Sequence, residues 1–243
     1  IDRSKLKEKP LLIVDNTFAT PFCQRPLSLG ADVVVHSLTK NIGGFGTDMG
    51  GMWVGPKKLE NVLLMFRKDF GAPLSAKSSW QPLVYGLPTL HIRMKRQMET
   101  AMKLASFLEK HPLVERVSFP GLKSHPQFDI AKRQMKDPDG GFAPGSMIYF
   151  VLKGKLEKAQ KSGRLMMNHL AEHALALTLA VSLGNVRTLI EHPSSMTHAP
   201  LPLDAQVKAG IDPGGIRISV GLEKADDILR DLQEAFDCAK KGG

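Results

Sequence analysis

Two short runs of uninterrupted aliphatic residues, Leu11-Leu12-Ile13-Val14 and Val33-Val34-Val35, each stop abruptly at polar side chains. The first ends at Asp15 and the second at His36-Ser37-Leu38-Thr39-Lys40. A strand that is apolar at every position has no wet face, so it belongs in a parallel sheet covered by helices on both sides. Ligands of open α/β sheets gather at the carboxyl ends of such strands, which is where both runs place their polar residues. Residues 49–54, behind the flexible Gly43-Gly44-Phe45-Gly46 stretch, read as a third strand.

Beyond position 90 the hydrophobic period changes. Met94, Met98, Ala101, Ala105 and Leu108 recur at spacings of three and four, which predicts an amphipathic helix from His91 to about Lys110. A second domain is expected to start there. This divides the chain into 1–89, part of a large α/β domain with a mostly parallel sheet, and 90–243, a smaller α+β domain. Strands are expected at 114–119 and 147–152, with a helix-bearing connection at 154–163. Gly215-Ile216-Arg217-Ile218-Ser219-Val220 reads as a strand of alternating exposure, and Ile228, Leu229, Leu232, Ala235, Phe236 and Ala239 mark a closing helix. The Pro-, Gly- and Asp-rich segment 136–145 reads as an exposed loop.

A net charge of +9 invites a nucleic-acid reading, but no basic run is interleaved with aromatics, which make up only 6% of the chain. The basic residues are scattered through helix-like segments and fit a solvated surface, so no nucleic-acid partner is expected. Cys23 and Cys238 lack the spacing of a disulfide framework or a metal site. A reducing, cytoplasmic location without a bound metal follows. No apolar run reaches the roughly 18 residues that span a bilayer, so no membrane partner is expected. Ile1-Asp2-Arg3-Ser4-Lys5 resembles no signal peptide or lipidation site, and a start at Ile suggests a fragment.

Lys40 carries the sharpest chemical signal. A lysine at a strand end, flanked by the hydroxyls of Ser37 and Thr39 and followed by glycines, suits a covalently held cofactor with a phosphate. Asp15, at the end of a neighbouring strand, would hold a pyridine nitrogen protonated and make the ring an electron sink. Each residue has a plainer alternative. Lys40 reads equally as a surface lysine, Asp15 as a cap for the Asn16-Thr17 turn, and Arg217 as half of a cross-strand ion pair.

Several segments together resemble the Cys/Met-metabolism family of pyridoxal-phosphate enzymes. They are Val14-Asp15-Asn16-Thr17-Phe18-Ala19-Thr20-Pro21, Gly30 through Lys40, Gly86-Leu87-Pro88-Thr89-Leu90, Phe119-Pro120-Gly121-Leu122-Lys123-Ser124-His125-Pro126, Ser182-Leu183-Gly184, Ile190 through His198, and Arg217-Ile218-Ser219-Val220-Gly221-Leu222-Glu223. The motifs are collinear over nearly the whole chain. The resemblance implies the aspartate-aminotransferase-like fold type I and pyridoxal 5'-phosphate as cofactor. It implies Lys40 as the Schiff-base lysine, Asp15 as the partner of the pyridine nitrogen, and Ser37 and Thr39 as phosphate contacts. Arg217 would grip the α-carboxylate of an amino-acid substrate, with Ser182, Val181 and Thr197 beside it. His36, His192 and His198 are expected to be packed, hydrogen-bonded histidines without a chemical role.

The resemblance also implies an activity. Val181 stands where family members that process cystathionine carry a glutamate, and Lys68-Asp69 resembles a pair near the site of methionine-cleaving members. Elimination on methionine to methanethiol, ammonia and 2-oxobutanoate is therefore the first expectation. The alternatives are γ-replacement, as in O-acylhomoserine sulfhydrylases and cystathionine γ-synthases, or an inactive fragment with a role in oligomerisation. A homotetramer, a dimer of dimers, is implied, together with a separate N-terminal polypeptide that would supply a phosphate loop and a ring-stacking aromatic. Phe45 and Thr47 depart from the family's usual histidine and acidic residue.

Overall fold

A computed structural model describes residues 9–242. The reading of Ile1 to Lys5 lies outside the described residues. Strand β1 (Ile13–Asp15) is followed by helix α1 (Thr20–Cys23) and β2 (Val33–Ser37), and β3 (Gly51–Val54) completes a three-stranded sheet in the order β1-β2-β3. β1 and β2 are parallel with Asp15 opposite Val35, and β3 runs antiparallel to β2. Helices α2 (Glu60–Phe70) and α3 (Ala76–Trp80) lead into α4 (Leu87–Lys110). α4 begins before the periodicity does. Pro88 in its first turn is no obstacle, because the first N–H groups of a helix have no intrahelical acceptor.

A second sheet comprises β4 (Val114–Ser118), β5 (Met147–Leu152), β6 (Leu177–Leu179), β7 (Thr188–Glu191) and β8 (Gly215–Ser219), in the order β4-β5-β8-β7-β6. α5 (Phe128–Gln134), α6 (Leu156–His173), α7 (Leu203–Lys208) and α8 (Ala225–Gly242) occupy its connections and its end. Met166 and Leu170 of α6 and Ile228, Leu232 and Phe236 of α8 join Ile148, Phe150, Ile216 and Ile218 of the sheet in one continuous core. α4 adds Ala101, Leu104, Ala105 and Leu108 to it.

Three expectations are corrected. β1 is not buried on both faces: Leu11, Leu12 and Ile13 are exposed, because β1 is an edge strand bonded only to β2, and within it only Val14 is half-buried. β8 does not alternate between core and solvent; every residue but half-buried Arg217 is buried. It lies at the centre of its sheet, and the β6–β7 connection lies against its second face, where the Gly184 amide donates to the Ser219 hydroxyl at 2.8 Å. Segment 136–145 is exposed only at its tip. Lys136 bridges Phe142, and Ala143 is buried against Phe22 and Cys23.

Candidate functional site

The end of β2 passes into a wide turn, Leu38–Ile42, in which the Gly43 amide donates to Leu38 O at 2.9 Å and the Gly44 amide to Lys40 O at 2.7 Å. Lys40 itself leaves the helical region, with φ −92° and ψ −138°. Its Nζ lies 3.1 Å from Ser182 Oγ, across 142 positions of sequence. Ser182 sits in the β6–β7 connection, which presses directly on the lysine turn: a Cβ at Gly184 would stand 2.4 Å from Asn41 N and 3.0 Å from the Lys40 carbonyl carbon. Gly184 also has φ +71°, so glycine is required there on both counts. The Val186 amide closes the seam on Gly44 O at 2.8 Å.

Arg217 reaches this seam from β8. Its Nη2 donates to Val181 O at 2.8 Å, to Ser182 O at 2.9 Å and to Glu191 Oε2 at 2.7 Å. Glu191 is its register partner across β7 and β8. The cross-strand ion pair is thus present, and it occupies one end of the guanidinium only. Nη1 and Nε donate to no described residue and remain directed donors of the kind that suits a carboxylate. Burial pushes the Glu191 carboxyl up, opposed by the Arg217 and His198 charges. Ser182 therefore touches both candidate groups, with its hydroxyl on Lys40 and its carbonyl on Arg217. Val181 is 55% exposed and shares only its carbonyl with the guanidinium.

The parallel register places Asp15, Val35 and Ser37 on one face of the small sheet and Val14, Val34 and His36 on the other. Hydrogen bonding from Thr17, through its hydroxyl and then its amide 2.9 Å from Oδ1, holds the Asp15 carboxyl below the usual range. His36 lowers it further, while burial opposes the shift. The turn-cap role is real, and it leaves the carboxylate ionised. Thr17 also accepts from the Ser37 amide at 2.8 Å, which ties the ends of β1 and β2 together. The Thr39 hydroxyl accepts from Gly50 N at 3.0 Å and meets Gly50 O at 3.5 Å, so it latches the approach to β3. Ser37 Oγ donates to no described residue.

Thr197 stays apart from this cluster. Its hydroxyl bonds His198 Nδ1 at 2.9 Å and Pro193 O at 3.5 Å, and no hydrogen bond joins it to Lys40 or Arg217. His192 is packed as expected, with Nε2 on Pro213 O and Nδ1 on the Ser195 hydroxyl, each at 2.7 Å. His36 departs from that expectation: it is buried, yet its Nδ1 has no partner among the described residues. Burial lowers the His36 pKa, with Asp15 opposing. Sequence reasoning overlooked Glu191 as Arg217's partner. The signal was an acid and a base each set beside aliphatic residues in a short strand.

A surface groove of about 690 Å³ between β3, α2 and residues 72–74 contains none of these groups. No His, Cys, Asp or Glu cluster among the described residues suits a metal ion. No described helix is long and apolar enough to cross a membrane. An exposed amine, an ionised carboxylate and a hydroxyl at the ends of two parallel strands, with a half-open guanidinium nearby, suit pyridoxal phosphate and an amino-acid carboxylate.

Fold and site thus define an α/β framework with a lysine turn at a strand end. Residues 2–237 match the Cys/Met metabolism PLP-dependent enzyme family, and the chain belongs to it. It is 45% identical over 229 residues to L-methionine gamma-lyase of Fusobacterium nucleatum subsp. polymorphum, covering 93% of this chain and 54% of that protein. It is 46% identical over 233 residues to cystathionine beta-lyase of Coxiella burnetii, covering 95% and 56%. A crystal structure of cystathionine gamma synthase from Xanthomonas oryzae pv. oryzae in complex with cystathionine superposes with a TM-score of 0.82 at 37% identity, covering 96% and 57%. The chain spans about half the length of the relatives it matches.

Proposed function

We propose that this chain carries the lysine and the carboxylate anchor of a carbon–sulfur lyase that cleaves L-methionine to methanethiol, ammonia and 2-oxobutanoate. The observation that carries the reading is Ser182, whose hydroxyl meets Lys40 Nζ while its carbonyl holds Arg217 Nη2. One residue thereby couples an amine to a guanidinium, the two groups needed at the α-amino and α-carboxylate ends of a substrate.

Pyridoxal phosphate, when bound, supplies an electron sink for chemistry at the substrate's α-carbon. Lys40 would hold the cofactor covalently, give way to the substrate's amino group, and remove the α-proton. Asp15 would hold a proton on the pyridine nitrogen, and Ser37 would donate to the phosphate. Arg217 would grip the α-carboxylate through Nη1 and Nε, the donors that Glu191 and the two carbonyls leave open.

Val181 supports methionine over cystathionine. Its side chain carries no charge to meet a distal ammonium group and suits a methyl thioether. The 45% identical relative named for methionine cleavage supports the same choice. The likeness to a cystathionine gamma synthase supports γ-replacement as the second reading. We place the protein in the cytoplasm, supported by two unpaired cysteines, and as a homo-oligomer, which rests on family membership alone.

Borohydride reduction with peptide mapping should put the pyridoxyl adduct on Lys40; an adduct on another lysine removes the proposal. Competing-substrate assays should favour methionine over cystathionine, and Val181→Glu should reverse the order. A protein that uses only O-acylated homoserine with an added thiol would be assigned to the second reading.

A further inference from the structure

Arg93 lies on the face of α4 that also carries Leu90, Met94 and Gln97, and it is 3% exposed. No carboxylate pairs with it among the described residues. Its guanidinium is spent almost entirely on backbone carbonyls. Nη1 donates to Asn41 O at 2.7 Å, and Nη2 to Ile42 O at 3.2 Å and Gly86 O at 2.8 Å, while Nε is oriented by Thr89 Oγ1 at 3.0 Å. Asn41 and Ile42 are the two residues that follow Lys40. Burial lowers the Arg93 pKa to about 10, so the residue keeps its charge at neutral pH.

A buried cation without a counter-ion costs stability unless its donors are met, and carbonyls at the end of a helical turn are acceptors that the turn leaves unpaired. Arg93 and the lysine turn solve each other's problem. The fit is tight: Gly44 has φ +79°, and a Cβ there would stand 2.4 Å from Arg93 Nη1. Asn41 is fixed from further sides by the close approach of Gly184 to its amide and by its own Nδ2 on Phe18 O at 3.4 Å. The backbone immediately after Lys40 is thus held to a guanidinium fork on a different element.

We propose that Arg93 is a positioning residue for Lys40: by gripping the Asn41 and Ile42 carbonyls it holds the non-helical backbone that aims the Lys40 amine at Ser182 and at a bound aldehyde. This rests on the reading of Lys40 given above. Lysine cannot reproduce the two-carbonyl grip, because its ammonium is a single point donor.

The test uses the full protein and its Arg93→Lys and Thr89→Val variants. Formation of the pyridoxal-phosphate adduct on Lys40 is followed by its visible absorbance and mapped after borohydride reduction. Amide exchange at Gly43 and Gly44 reports the turn directly, and far-UV circular dichroism reports the folded fraction. In Arg93→Lys the adduct rate per folded molecule should fall roughly ten- to a hundredfold, exchange at Gly43 and Gly44 should quicken, and kcat should drop with KM nearly unchanged. Thr89→Val, which keeps the guanidinium and removes its orienting hydroxyl, should show a smaller loss of the same kind. If Arg93→Lys does not fold, Thr89→Val decides alone. Wild-type adduct rates with unchanged exchange in the folded variants overturn the inference and leave Lys40's role intact. An adduct that maps elsewhere in the wild type overturns the reading of Lys40, and this inference with it.

Discussion

The two sheets hold equally aliphatic strands in different company. Ile216 and Ile218 of β8 are completely buried, whereas Ile13 of β1 is 57% exposed and Phe70, at the end of α2, is 80% exposed. Composition does not separate them; coverage does. The five-stranded sheet packs against helices on one side and against the β6–β7 connection on the other, while of β1 only Val14 is half-buried. Stability is therefore concentrated in the second sheet and its helices. The candidate chemistry sits at the seam, where the small sheet's lysine turn meets the β6–β7 connection.

The largest expected effect tests that division. Phe236→Ala should cost about 3–5 kcal/mol of unfolding free energy, as for a fully buried aromatic, measured by denaturant titration. An effect below about 1 kcal/mol would mean that the core does not reside there. Next in size, Arg217→Lys should lose roughly 1.5–3 kcal/mol of substrate binding, read as KM for methionine, because hydrogen bonds to charged groups have that worth. Its kcat should change less. An unaltered KM would leave the Glu191 ion pair as the whole role of Arg217.

A smaller effect concerns acid. Burial holds His192 below its usual value of 6.5, with the Pro213 carbonyl opposing, so the unfolded chain takes up the proton first. Stability from the neutral ring is complete above that usual value and is lost as pH falls through the folded-state value. His36 and His111 are shifted the same way, also chiefly by burial. Melting temperature should therefore decline on moving from about pH 7.5 toward about pH 5.5. A flat profile would show that these rings are not sealed. The smallest effect completes the comparison: Phe70→Ala should move stability by no more than about 0.5 kcal/mol, as for other exposed positions. A larger loss would show that α2 is packed in solution.

Much of this was legible in the residues. The apolar run ending at Lys40 and the helical period of α4 and α8 follow from spacing, which local backbone geometry dictates. Coverage was not legible, because periodicity reports which residues are apolar and says nothing of what lies over them. The exposure of Leu11, Leu12 and Ile13 escaped for that reason. Leu177–Leu179 is too short a strand for alternation to register. Family motifs singled out Lys40, Ser182 and Arg217, but the sharing of Ser182 between the other two is a property of the folded backbone. Arg93 looked like one more basic residue in a helix, since its distinction is the set of carbonyls brought to it from Asn41, Ile42 and Gly86.

The Lys40–Ser182 contact also has a meaning in time. Its partners are 142 positions apart, and a ribosome adding about 5–20 residues per second needs roughly 7–28 s to travel between them. Throughout that interval the lysine has been made while the serine that will meet its amine has not. A nascent chain therefore displays an ordinary lysine until the hydroxyl and guanidinium that set it apart have been added.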